Sequence, residues 1–214
     1  PNADSQLVLK GNYYGTASKY TTIQEWVHGA VDDTASVWYA EGCHLYKDKV
    51  ENLAKPNDRI CEAVSVAERC DVAILCLGLD SLIEGEEGDE GNSYAGGDKP
   101  NLDLPGLQQK LLEAVCETGT PVILVLSAGS AMAIQYAQEH CAAILDIWYP
   151  GSHGGEAVCD LLFGKCSPSA KLPVTFYHDT SDLPDFTDYS MKGRTYRYME
   201  KPALYPFGYG LTYS

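Results

Sequence analysis

Three short stretches of the chain are apolar almost without interruption: residues 71–78 (DVAILCLG), 121–126 (PVILVL) and 142–148 (AAILDIW). Runs of this length with no polar alternation read as strands buried on both faces. Between them the spacing becomes helical. Ile60, Ala63, Val64, Val66 and Ala67 fall at helical intervals within 57–69. Leu104, Leu107, Leu111, Leu112 and Val115 recur at i, i+3 and i+4, with Pro105 near the start and Gly119 at the end. Further helices are expected over 21–30 with Thr22 as cap, over 131–140, and over 155–163 with Gly164 as terminator. Two more strands are expected. One is 36–42 (SVWYAEG), β-branched and aromatic; the other is 171–176 (KLPVTF), which Pro173 confines to a sheet edge.

Strands alternating with helices predict a parallel sheet with helices on both faces. In such sheets ligands sit beyond the C-terminal ends of the strands. The turns after Gly78, Leu126 and Trp148 are therefore the places to seek chemistry. The length, 214 residues, allows a single domain with a sizeable core.

Charge narrows the partners. The chain carries 30 Asp+Glu against 15 Lys+Arg, a net charge of −15. Nucleic acid is disfavoured, because phosphate binding needs Lys and Arg stripes. An anionic membrane surface is disfavoured on the same ground, and no apolar run approaches the ~20 residues of a membrane helix. No charged start followed by an apolar stretch is visible, and the chain opens at Pro1 rather than Met, which points to removal of preceding residues. Eight cysteines are present, none in C-x-x-C and none grouped with His at zinc-finger spacing. Several sit in apolar contexts, as Cys76 and Cys116 do, and read as small hydrophobes in a reducing compartment.

The segment after Gly78 holds the densest chemistry. Five carboxylates fall within residues 84–90: Glu84, Glu86, Glu87, Asp89 and Glu90. Three readings are open on composition. The segment is a solvated surface, a calcium site, or the source of a general acid/base. Its spacing does not match an EF-hand. Crowded carboxylates raise one another's pKa, which suits a proton donor at neutral pH. After the third strand comes Pro150-Gly151-Ser152-His153-Gly154-Gly155. It matches neither a Walker loop nor G-x-G-x-x-G, so it reads as a tight turn whose His153 could face a ligand. Tyr94, Trp148 and Tyr149 could stack on a ring of a bound ligand, although Trp148, ending an apolar strand, also reads as core. Ser127-Ala128-Gly129-Ser130 is not a nucleophile elbow.

Several of these segments together resemble glycoside hydrolase family 3. Residues 84–89 (EGEEGD) followed by 101–108 (NLDLPGLQ) resemble its acid/base loop and the helix after it. Trp148-Tyr149-Pro150-Gly151, Gly154-Gly155, Leu162-Phe163-Gly164, 171–176 (KLPVTF), 205–213 (YPFGYGLTY) and the opening Pro1-Asn2-Ala3-Asp4 are similar to the family's C-terminal domain. The chain departs in having Ser167-Pro168-Ser169-Ala170-Lys171 where Asn-Pro-Ser-Gly-Lys is common, and in residues 92–99 inserted before the leucine-rich helix.

The resemblance implies a three-layer α/β/α sandwich with a mostly parallel sheet, flavodoxin-like in style, spanning 1–214 as one domain. It implies retaining hydrolysis of terminal β-D-glucosyl or β-D-xylosyl residues, with no cofactor and no metal. The nucleophile would lie on an N-terminal barrel domain outside this chain, so the chain alone is expected to be inactive. Matching the family's G-E-x-x-D to Gly85-Glu86-Glu87-Gly88-Asp89 assigns the acid/base to Glu86, with Glu84 as runner-up, Glu87 third, and Asp89 holding the loop. Tyr94, Asp98 and His153 are the candidate substrate contacts. The expected partners are a β-linked oligosaccharide or aryl glycoside and the barrel. The expected location is bacterial cytoplasm. The competing class is a non-catalytic carbohydrate-binding or flavodoxin-like ligand-binding module.

Overall fold

The computed structural model describes residues 1–49, 51–86 and 99–213. Three parallel strands form the sheet in the order β1 (Ala73–Gly78), β2 (Val122–Ser127), β3 (Ala143–Asp146). Leu77 lies opposite Leu126, Gly78 opposite Ser127, and Leu126 opposite Asp146, so all three strands end together.

Successive strand side chains point to opposite faces, and each face is covered. On one side Leu77, Leu124 and Leu126 meet α2 (Asp58–Ala67), α3 (Gln108–Cys116) and α4 (Gln135–His140) through Ile60, Ala63, Leu111, Leu112, Val115 and Ala137. On the other, Cys76 and Val125 meet Ile23 of α1 (Ile23–Ala30) and Val158 of α5 (Gly154–Leu162). This is the expected α/β/α sandwich. Thr22 caps α1 in a capping box: its hydroxyl accepts from Glu25 N at 3.2 Å, and Glu25 returns a bond to Thr22 N at 2.7 Å.

Three expectations need correction. Residues 36–42 form no strand, and Trp38 is 67% exposed. That stretch has strand-forming side chains but no ladder, and strand propensity acts only through neighbours. At Cys76 the outer edge of β1 instead accepts from the backbone N–H of Asn2, at 3.2 Å. Residues 171–176 form no regular strand either. They make one antiparallel bridge, Phe176 with Tyr205, where the C-terminal tail folds back. Trp148 is only half-buried and takes φ +52°, so it turns the chain out of β3 instead of filling the core. Residues 177–213 hold a turn of 3-10 helix at Thr180–Asp182 and the short α6 (Thr195–Tyr198), and leave many aromatic rings at the surface.

Candidate active site at the C-terminal end of the sheet

The three strand ends converge where parallel sheets build sites. Gly78 closes β1 with φ +124°, and a Cβ there would stand 2.0 Å from Ser127 O, so only glycine permits this exit. Gln108, fully buried at the start of α3, holds the exit in place. Its Oε1 accepts from Gly78 N, and its Nε2 donates to Gly78 O and Leu45 O, each at 2.7 Å. Two residues on, the buried Asp80 folds the chain into a tight turn. Its Oδ1 accepts from Leu82 N at 2.9 Å and Ile83 N at 3.1 Å, while its carbonyl accepts from Ile83 N and Glu84 N. Burial pushes the Asp80 carboxyl above its ordinary value, and these two backbone donors oppose the shift.

The turn delivers Glu84 onto the segment after β2. Its Oε2 accepts from Gly129 N at 2.6 Å and from the Tyr149 hydroxyl, and its Oε1 accepts from the Ser130 hydroxyl. Gly129 is needed for this approach. A Cβ on it would stand 2.9 Å from the Tyr149 ring and 3.0 Å from Glu84 Oε2. The left-handed turn at Trp148 is what sends Tyr149 back over the strand ends. Burial, reinforced by the Glu84 charge, pushes the Tyr149 phenol well above its usual range.

Two other charged groups border this cluster. Lys99 Nζ donates to Ala131 O at 2.8 Å and lies 3.4 Å from Met132 Sδ. Burial lowers its pKa, and Glu84 partly offsets that. Asp146, the last residue of β3, is pushed up to about 6, mainly by burial and further by Glu84, against the Trp148 N–H. Its buried Oδ2 has no hydrogen-bond partner among the described residues.

Of the candidates named from sequence, Glu86 is exposed, two residues past the fixed Glu84. Tyr94, Asp98, Glu87 and Asp89 lie outside the described residues. His153 stands exposed at the start of α5, with Nδ1 3.1 Å from Glu156 Oε2 one turn on. Sequence reasoning missed Gln108 and Ser130 as ligands of the loop, and named Tyr149 for its ring without the hydroxyl that binds Glu84. The glycines at 78 and 129 were the available signal. No group of three or more His, Cys, Asp or Glu could hold a metal ion among the described residues. No described helix is long and apolar enough to cross a membrane.

Residues 1–213 match the model of the glycosyl hydrolase family 3 C-terminal domain. A xylan 1,4-beta-xylosidase from Xylanibacter ruminicola is 46% identical over 167 residues, covering 78% of this chain and 19% of that protein. A periplasmic beta-glucosidase from Salmonella typhimurium is 32% identical over 241 residues, covering 100% of this chain and 30% of its own length. Among solved structures, a family 3 exo-beta-xylosidase in complex with a xylobiose aziridine probe superposes with a TM-score of 0.83 at 25% identity. It covers all of this chain and 27% of that one. A β-glucosidase from Erythrobacter marinus gives 0.76 at 32% identity, over 100% and 30%. The chain thus spans less than a third of the length of each of these four proteins. With a parallel sheet, an acidic segment leaving its first strand and a match from end to end, the chain belongs to glycosyl hydrolase family 3, as the family's C-terminal domain.

Proposed function

We propose that this domain supplies the general acid/base carboxylate of a retaining β-glycosidase that removes terminal β-xylosyl or β-glucosyl residues. The carboxylate is Glu86. One contrast carries the reading: both oxygens of Glu84 are engaged by Gly129, Ser130 and Tyr149, whereas Glu86 stands exposed just beyond it. A proton donor has to reach the glycosidic oxygen, and the engaged carboxylate is poorly placed to do so.

The reaction needs a second carboxylate, about 5–5.5 Å away in retaining enzymes, to attack the anomeric carbon. That nucleophile belongs to a barrel domain on the same polypeptide. Glu86 gives its proton to the departing oxygen as the glycosyl–carboxylate bond forms. It then takes a proton from the water that breaks that bond. The exposed aromatics Trp38, Phe186, Tyr189 and Tyr213 support a large partner surface of this kind. Tyr94, Asp98 and His153 are the candidate sugar contacts, and their replacement by Ala should raise KM. Eight free thiols support a cytoplasmic location, against the periplasmic designation of the Salmonella relative, and cell fractionation decides it.

The test compares Glu86→Ala, Glu84→Ala and wild type in the polypeptide that includes the barrel, on nitrophenyl β-xyloside and β-glucoside, with and without azide. Glu86→Ala is expected to lose turnover by roughly 10²–10⁴-fold. Azide, which attacks the glycosyl-enzyme without needing a base, should restore part of it, and the better substrate names the sugar. Turnover by the 214-residue chain alone would remove the need for a second domain. Full activity in Glu86→Ala would move the role elsewhere.

A further inference from the structure

The residues on the two sides of 87–98 share one support. On the near side Glu84 binds Gly129 N and the Ser130 hydroxyl. On the far side Lys99 Nζ binds Ala131 O, 2.8 Å away. Four consecutive residues after β2, from Gly129 to Met132, therefore hold both the entry and the exit of the acidic segment. Tyr149, sent back from the end of β3, closes the arrangement by donating to Glu84 Oε2. All three strand ends contribute: β1 through Glu84, β2 through Gly129 and Ser130, β3 through Tyr149.

This is more support than a solvated surface loop needs. The hydroxyls of Ser130 and Tyr149 and the N–H of Gly129 all point at one carboxylate. Hydrogen bonds to an ionised acceptor are the strong class. The glycine admits neither a Cβ nor, by extension, any larger side chain without pushing the Tyr149 ring or Glu84 away. Lys99 also sits close enough to Glu84 for the two charges to interact.

We propose that Glu84, Ser130, Tyr149 and Lys99 form a clamp that fixes the backbone on either side of 87–98 and so positions Glu86 for proton transfer. Glu84 and Tyr149 are positioning residues; they act through Glu86 and do not touch substrate. The inference rests on the assignment of Glu86 made above. It explains why the segment carries two glutamates two residues apart, the first held by three donors and the second exposed. A misplacement of about 1 Å in a proton donor costs up to ~10²-fold in rate, so a clamp of this kind has a catalytic consequence.

The test is made in the barrel-containing polypeptide with Tyr149→Phe, Ser130→Ala, Glu84→Gln and Glu86→Gln. Tyr149→Phe keeps the ring packed and removes only the hydroxyl. Each variant is assayed on two substrates of one sugar. Xylobiose or cellobiose has a poor leaving group that needs the acid. A dinitrophenyl glycoside has a good one that does not. Tyr149→Phe is expected to lower kcat/KM about 10- to 100-fold on the disaccharide and to leave it nearly unchanged on the dinitrophenyl glycoside. On the latter its kcat should fall, and azide should restore it, because the base step is then limiting. Ser130→Ala should show the same signature more weakly. A purely structural role would lower both substrates alike and show no azide effect, and that result overturns the clamp. So does wild-type behaviour of Tyr149→Phe while Glu86→Gln retains the signature, which leaves the acid/base assignment standing. If Glu84→Gln shows the full loss and azide rescue while Glu86→Gln is indifferent, Glu84 is itself the acid/base, and both the clamp and the Glu86 assignment fall. Should Glu84→Gln not fold, the two hydroxyl variants carry the result.

Discussion

The sheet and the C-terminal tail are both rich in large apolar side chains, yet they treat them in opposite ways. In β2 nearly every side chain is buried, because the strand is central and has a helical layer on each face. In the tail Phe186 is 90% exposed and Tyr213 94%. The tail's backbone is not loose. Leu172 N donates to Tyr209 O at 2.8 Å, Phe176 N donates to Tyr205 O at 2.8 Å, and the Tyr205 hydroxyl donates to Gln138 Oε1. Hydrophobic content therefore does not decide burial. The strands find partners within the chain at period 2, while the tail is pinned at a few points, Tyr205 in the core among them, and presents most of its other rings outward. Exposed rings in this number suit the partner surface proposed above.

The largest expected effect tests this contrast directly. Leu124→Ala, at a fully buried site in the central strand, should destabilise the 214-residue chain by about 3–5 kcal/mol, from lost burial plus the cavity. Phe186→Ala, although it removes more carbon, should change stability by less than about 0.5 kcal/mol. Urea unfolding of the two variants checks both figures. Comparable losses would mean that the tail is part of the core after all.

Gln108→Leu comes next. It keeps the volume but strands Gly78 N–H and C=O and the Leu45 carbonyl. Leaving buried backbone groups unpaired should cost about 3 kcal/mol. Hydrogen exchange at Gly78 should rise more than at Leu124, since the damage lies at the strand exit.

The third effect has the opposite sign. Asp146 is raised to about 6 in the folded chain, against about 3.9 when unfolded. Between these values the folded state binds more protons, so stability falls as pH rises from about 4 through 6 and is flat above. Asp146→Asn removes the buried charge. It should match wild type near pH 3.5 and exceed it by about 1–3 kcal/mol at pH 7.5. Denaturation curves at the two pH values measure the difference. Equal stability at both would show that water reaches the carboxylate.

The sheet was legible in the sequence because its signal is local. Ile74 and Cys76, or Leu124 and Leu126, need only their neighbours to be read as strand. The helices were legible from the same short-range spacing, although α4 starts only at Gln135, later than the apolar pattern suggested. Residues 36–42 misled because β-branched and aromatic side chains were read without a partner strand. The site was legible only in part. The acidic segment is local, and its place after β1 follows from the alternation of strand and helix. The donors that distinguish Glu84 from Glu86 come from 45 to 65 residues away, so spacing along the chain could not reveal them. The left-handed turn at Trp148, which aims Tyr149, carries no sequence signal, since tryptophan seldom adopts it.

The smallest effect concerns the thiols, and it probes the same divide between a closed interior and an open surface without changing stability. Cys61 and Cys166 are exposed, whereas Cys43, Cys76 and Cys159 are buried. Burial pushes the Cys76 thiol up to about 12 and the Cys43 and Cys159 thiols to about 11. The thiolate is the reactive form, so these three are both shielded and protonated at neutral pH. A disulfide reagent added to the native chain at pH 8 should label Cys61 and Cys166 first. Cys76, between the sheet and the α1–α5 layer, should react only as fast as that layer opens. Leu124→Ala should speed the Cys76 reaction, while Phe186→Ala should leave it untouched. Fast labelling of Cys76 in the wild-type chain would show that the α1–α5 face opens readily, and would place the boundary between core and interface inside the sandwich.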